Sequence, residues 1–213
     1  MKAMILAAGL GTRLRPLTDS KPKALIDVGG YTMLELTFLY LRKFGVKQVV
    51  VNVHHFADQI IRYLDEQKGF GLQYEISDET SMLMDTGGAI VHAKDYLKEE
   101  KNFVLMGVDV LTGLDLGAMI AYHKKHDSMV TLAVKDRDTS RSFLFDNQLN
   151  LVGWRNNTNG HIKGEKASDA TVALGFSVIQ VMSSMIFDHI TDKGPFSLID
   201  LYLQLMNTQK ILG

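Results

Sequence analysis

Apolar residues recur along this 213-residue chain in two alternating rhythms. Short blocks rich in Val, Ile, Leu and Met at residues 4–8, 46–53, 72–76, 102–106 and 129–135 have the length and composition of buried strands. Between them the period lengthens. Met33, Leu34, Leu36, Phe38, Leu39 and Leu41 recur at helical spacing, with Thr32 as N-cap, Glu35 in the first turn and Gly45 beyond the end. Residues 56–67 and 116–126 predict further amphipathic helices, and another is expected from Thr86 to about residue 99. Strand and helix in alternation imply an α/β fold: a single-domain, Rossmann-like, mixed but mainly parallel sheet with right-handed crossovers and helices on both faces. The rhythm changes after residue 135, where residues 143–145 and 149–154 predict a hairpin about Asp146 and Asn147. A polar loop over 156–169, a strand over 170–179 and helices over 181–189 and 197–207 complete the expectation, with Pro195 between the helices.

Ligands of such sheets sit beyond the carboxyl ends of the strands, which is where the first strand runs into A-A-G-L-G-T-R-L-R. Gly9 and Gly11 let the backbone approach a ligand, and successive amides in such a turn make an anion-binding concavity. Arg13, Arg15, Lys21 and Lys23 follow closely, so the expected ligand is polyanionic. A Walker loop requires Lys directly after its second Gly, where Thr12 and Arg13 stand. A dinucleotide loop requires a third Gly where Leu14 stands and an acid after the second strand, where the chain has Asn52, His54 and His55; an NAD-dependent dehydrogenase is disfavoured accordingly. Two acids, Asp78 and Glu79, leave the strand that precedes Thr86-Gly87-Gly88; from spacing alone that stretch is a solvated turn and a helix start. Asp109, in G-V-D-V at the end of a central strand, is costly unless a cation meets it. Mg²⁺ suits it, because that ion takes one or two carboxylates plus phosphate oxygens and water.

Composition narrows the field. A formal charge of −1 offers no global basic surface for nucleic acid or an anionic membrane, and the absence of Cys excludes disulfides, zinc thiolates and thiol nucleophiles. The apolar run after Lys2 is too short for a signal peptide, and no run approaches the roughly 20 residues of a membrane helix, so a cytoplasmic protein is expected. His123 and His126 are three apart on a helix without an evident third ligand and are expected at the surface. The methionines, Met82 and Met84 among them, read as gap-fillers.

The linked blocks L-A-A-G-x-G-T-R-L-x-P-L-T and K-P-K-A-L, within residues 3–28, resemble the sugar-1-phosphate nucleotidylyltransferases. The resemblance implies a nucleotide-binding half over residues 1–135 and a sugar-binding half over 136–213. It places the loop of Gly9, Gly11 and Thr12 around the nucleotide's phosphates, with Arg13 holding them and Lys23 stabilising charge at the reacting phosphorus. Leu6, Ala8 and Gly9 are expected to offer backbone groups to the base. The resemblance reverses the bland reading of residues 77–89 and makes Glu79 the base reader, with Gly87 over the nucleotide and sugar. A carboxylate accepts from uracil N3 or guanine N1 and N2, so UTP or GTP is implied. Asp109 becomes the magnesium ligand, Gly153 and Gly175 approach the sugar, and Glu165 beside Lys166 matches the family's acid-Lys pair. The closest branches in look are those acting on N-acetylmuramate, mannose or heptose 1-phosphates, and a homo-oligomer is compatible. The family pattern continues with a D-V-G segment carrying a second metal ligand. None follows Gly213, so the C-terminal end reads as truncated, and a catalytically impaired nucleotide-sensing module is the alternative.

Overall fold

A computed structural model of the protein describes residues 1–164, 171–191 and 193–213. Its first strand, β1 (Lys2–Leu6), sends alternate side chains to opposite faces, and both faces are dry: Ala3 and Ile5 enter one core, Met4 the other. A small hairpin, β2 (Asp27–Val28) and β3 (Tyr31–Thr32), leads into α1 (Met33–Lys43), where the Thr32 hydroxyl accepts from the Glu35 amide as its spacing predicts. Then come β4 (Gln48–Val53), α2 (Ala57–Glu66) and β5 (Gln73–Asp78). The helix expected to reach residue 99 is two pieces, α3 (Asp85–His92) and α4 (Lys94–Leu97), broken at Ala93 so that both Ile90 and Leu97 stay in the core. After β6 (Asn102–Gly107) come α5 (Leu116–His126), β7 (Val130–Lys135), β8 (Arg141–Phe145), β9 (Leu151–Asn156), β10 (Ile162–Lys163), β11 (Val172–Ser183), α6 (Leu198–Leu205) and β12 (Ile211–Leu212).

The main sheet has the order β10-β9-β8-β11-β6-β1-β4-β5, with β7 against β11 and β12 against β7. β6, β1, β4 and β5 run parallel, whereas β11 is antiparallel to β6. Helices α1, α2 and α5 cover one face through Leu34, Phe38, Ile60, Leu64 and Met119; α3 and α6 cover the other through Ala89, Ile90, Leu201 and Leu205. The two expected halves share this sheet, because β11 lies between β6 and β8.

The helix expected over 181–189 is corrected. Residues up to Ser183 remain in β11, and only Ser184–His189 form a 3-10 helix. Val181 packs into one core and Met182 into the other, so the strand has no polar face, and such a run imitates a buried helix in sequence. The register of β11 against β7 shifts between Phe176 and Gln180, and Val178 inside that irregularity has φ 55.

His123 is also corrected. It is 1% exposed rather than on the surface. Its ring spans α5 to the sheet: Nε2 donates to Asn102 Oδ1 at 3.1 Å, which leaves Nδ1 to accept from the Thr131 hydroxyl at 2.9 Å. Burial pushes its pKa from 6.5 down to about 4. A depressed histidine pKa means that the unfolded chain takes up the proton first. Stability is therefore full above the unfolded value of 6.5 and falls as pH drops toward about 4, by roughly 3 kcal/mol in all. Urea titrations across this range are expected to show the loss, and His123→Gln to flatten it.

Candidate active site

β1 is the pivot of the parallel strands, since β4 lies on one side of it and β6 on the other. The loops that follow β1 and β6 meet at this switch point, where the Val108 amide donates to the Leu6 carbonyl at 3.1 Å. Beyond Leu6 the chain is held by Asn52, at the end of β4, whose Oδ1 accepts from the amides of Ala7 at 2.7 Å and Ala8 at 3.3 Å. The next three amides, of Gly9, Leu10 and Gly11, have no acceptor among the described residues. They form an open row of donors. Gly11 has φ 66, and a Cβ there would lie 2.9 Å from Thr18 Cγ2 and 3.4 Å from Lys23 Cβ. A side chain at this position would be strained and would push Thr18 away, whereas at Gly9 the space is open. Thr12 opens a 3-10 turn, Thr12–Leu14, that exposes Arg13.

Lys23 stands on a second 3-10 turn, Lys23–Leu25, fixed by the fully buried Ala24. Its ammonium pairs with Asp109 Oδ2. Asp109 is exposed while the intervening Val108 is buried, and the Thr37 hydroxyl on α1 donates to the Val108 carbonyl. Gly107 matters because a Cβ there would lie 2.9 Å from Asp109 Oδ1. The G-V-D order thus buries the valine as an anchor and leaves the carboxylate at the rim.

The structure places other predicted residues differently. Glu79 is 1% exposed and its carboxylate points inward: Oε1 accepts from Asn52 Nδ2 at 2.8 Å and Oε2 from the Met84 amide at 3.2 Å. His54 Nδ1 donates to the Glu79 carbonyl at 2.6 Å. Of Leu6, Ala8 and Gly9, only Gly9 keeps a free N–H, since Leu6 lies in the strand ladder and Ala8 donates to Asn52. At Gly87 the space belongs to Phe196, whose ring would stand 2.2 Å from a Cβ, and the Gly87 amide donates to the Phe196 carbonyl. Gly153 admits the Lys163 carbonyl and Gly175 the Arg137 side chain, at 2.9 and 3.0 Å from a built Cβ. Both glycines therefore serve the packing of neighbouring chain. Glu165 and Lys166 lie outside the described residues.

Asn52 escaped the sequence reading, although a single amide inside V-V-V-N-V is a visible signal. A polar side chain amid buried β-branched residues needs partners, and here those partners are the loop amides and Glu79.

Beside the loop lies a cavity of about 560 Å³, lined by Arg13, residues 139–143 leading into and opening β8, and Trp154, Phe176, Val178 and Ile199. A depression of about 810 Å³ lies against the opposite, amino ends of β1, β4 and β5, where Lys2 is already bonded to the Tyr96 carbonyl. Neither Lys23 nor Asp109 lines it. Among the described residues no three His, Asp or Glu side chains gather as a metal cage. One exposed carboxylate, Asp109, suits a hydrated hard cation carried in on phosphate oxygens.

The fold is that of an α/β protein whose parallel strands meet at a switch point carrying a row of acceptor-free amides, a lysine and an exposed aspartate. The chain belongs to the nucleotidyl transferase family, which matches residues 2–143. Among curated relatives, N-acetylmuramate alpha-1-phosphate uridylyltransferase of Caulobacter vibrioides is 46% identical over 104 residues, 48% of this chain and 43% of that protein. Mannose-1-phosphate guanylyltransferase catalytic subunit beta of Dictyostelium discoideum is 35% identical over 135 residues, 63% of this chain and 37% of that protein. The matched segments thus span less than half of either relative. Two solved structures share the fold: HddC from Yersinia pseudotuberculosis in complex with GMP-PN, and the inositol-1-phosphate CTP transferase from T. maritima. The first has a TM-score of 0.79 at 24% identity over 99% of this chain and 88% of that one. The second has a TM-score of 0.76 at 18% identity over 99% and 83%. No described helix is long and apolar enough to cross a membrane.

Proposed function

We propose that this chain transfers a nucleoside monophosphate from UTP or GTP to a sugar 1-phosphate, releasing pyrophosphate. The observation that carries the reading is the row of acceptor-free amides from Gly9 to Gly11 beside the Lys23 and Asp109 pair. The activities in the names of the two relatives support it. A phosphate oxygen of the sugar phosphate attacks the α-phosphorus of the triphosphate, and the bond from that phosphorus to the pyrophosphate oxygen breaks. The nucleophile is already ionised at neutral pH, so no general base is required, and catalysis is positioning and charge neutralisation.

In this scheme the amides of Gly9 to Gly11, with Thr12 and Arg13, bind the β- and γ-phosphates. Lys23 stabilises the charge that builds on the α-phosphoryl oxygens. Asp109 would hold Mg²⁺, and that ion, when bound, supplies charge neutralisation between the two anionic reactants. Lys23 and Asp109 neutralise each other in the free protein, so an incoming triphosphate replaces the carboxylate as the lysine's partner.

Pyrophosphate release in the presence of magnesium tests the reading, with each ribonucleoside triphosphate set against a panel of sugar 1-phosphates. Release that requires one triphosphate and one sugar supports it. Triphosphate binding without release for any sugar sinks it and leaves a nucleotide-sensing module.

A further inference from the structure

The cavity beside the loop holds more positive charge than one sugar 1-phosphate needs. Among the described residues its lining includes two guanidinium groups, Arg13 and Arg141, and no acidic side chain. Among the described residues neither guanidinium has a hydrogen-bond or ion-pair partner that would explain its place in the cavity, although Arg15 and other nearby cations are paired. Arg137 donates to the Phe176 carbonyl, Arg155 to Asn157 Oδ1, and Lys163 pairs with Asp200 while lying over the Trp154 ring. Arg13 and Arg141 are left for a ligand.

They enter from different walls. Arg13 belongs to the turn after β1, on the side of the triphosphate. Arg141 opens β8, an otherwise buried strand whose register against β9 sets Arg141 opposite Asn156 and Phe143 opposite Trp154. Its backbone is thus fixed by the sheet. Trp154 and Phe176 give the same cavity flat apolar walls, and Ser140 and Ser142 give it hydroxyls, a combination that suits a pyranose ring. Val178, also in the lining, holds φ 55, which is costly for a β-branched residue and is the kind of strain that collects at ligand sites.

A sugar 1-phosphate must turn its phosphate toward Lys23 for attack on the α-phosphorus. A neutral sugar would then leave the exposed Arg141 guanidinium to water alone. We infer that the acceptor carries a second anionic group, a carboxylate or a phosphate, on the part of the sugar remote from C1, and that Arg141 holds it. The inference rests on the transferase reading and deepens it by naming the substrate class. A guanidinium can meet either anion with two parallel hydrogen bonds, which a neutral hydroxyl cannot offer.

The test compares pairs that differ in that group alone or nearly so. N-acetylmuramate 1-phosphate is set against N-acetylglucosamine 1-phosphate, glucuronate 1-phosphate against glucose 1-phosphate, and glucose 1,6-bisphosphate against glucose 1-phosphate. The protein is expected to favour at least one acidic member by about 10- to 100-fold in kcat/KM, the range of a charged hydrogen bond. The first two pairs report a carboxylate and the third a phosphate. Arg141→Met should collapse that ratio to near unity through a raised KM, and Arg141→Lys should keep part of it; thermal melting establishes that both variants are folded. Equal use of neutral partners, or a preference that survives Arg141→Met, overturns the inference. If no sugar phosphate is turned over, the transferase reading itself fails. Calorimetric binding of the same pairs to the protein and to Arg141→Met then decides the Arg141 site independently: tighter binding of an acid, lost in the variant, upholds it, and no difference overturns it.

Discussion

Replacing Lys23 by Ala is expected to lower kcat about 10²- to 10³-fold, the cost of removing one preorganised donor to developing charge, while the KM for the triphosphate changes far less. Lys23 is delivered to the switch point by a turn anchored in the core, with its stem against Gly11, so its position is set before any ligand arrives. In the proposed scheme the triphosphate also meets the loop amides and Arg13, so its binding should survive the loss of one cation. Stability should hardly move: the side chains of Lys23 and Asp109 are 21% and 39% exposed, and such solvent-screened pairs contribute at most about 1 kcal/mol. Steady-state kinetics and a urea melt on the same preparation separate the possibilities. A large fall in stability with kcat intact would make Lys23 a structural residue.

The second large effect is expected at Asn52. Asn52→Leu should destabilise the fold by about 3–5 kcal/mol, because it leaves the Glu79 carboxylate and two loop amides buried without their partner. The chemistry of the pair also predicts a rescue. Asn52→Asp alone sets two carboxylates face to face, and Glu79→Gln alone sets an amide donor against either Asn52 Nδ2 or the Met84 amide. Together they restore every pairing: the new carboxylate accepts from Ala7, Ala8 and the new amide, whose oxygen accepts from Met84. The double variant should therefore be more stable than either single one, with a coupling energy of about 1–3 kcal/mol. The same variants address base recognition. If Glu79 acts by holding Asn52 and the loop, Glu79→Gln raises the KM for UTP and GTP alike and the double variant recovers both. If Glu79 meets the base directly, the UTP to GTP ratio shifts and the double variant does not restore it. Strict additivity of the two substitutions would sink the relay.

Much of this protein was legible in its sequence because the relevant physics is local. The strand and helix rhythm, the Thr32 cap, the glycine loop with its following cations, and the acid closing β6 each depend on neighbours a few residues apart, and the structure has them where spacing puts them. Long-range packing decided the rest. Val181 and Met182 are strand residues because each meets a different core. His123 is buried because Asn102 and Thr131, from two other elements, supply its hydrogen bonds. Gly87, Gly153 and Gly175 lack side chains to admit Phe196, Lys163 and Arg137, residues that no local pattern ties to them. Glu79 looks like a free acid on a turn until the fold sets it against Asn52. Sequence by itself marked the loop and cations proposed to bind a phosphate chain, since that reading needs only a turn and nearby charge. Tertiary structure decided which of the candidate residues stay at the rim, as Lys23 and Asp109 do, and which are drawn into the frame, as Glu79 is, because a side chain's direction is fixed by atoms far away along the chain.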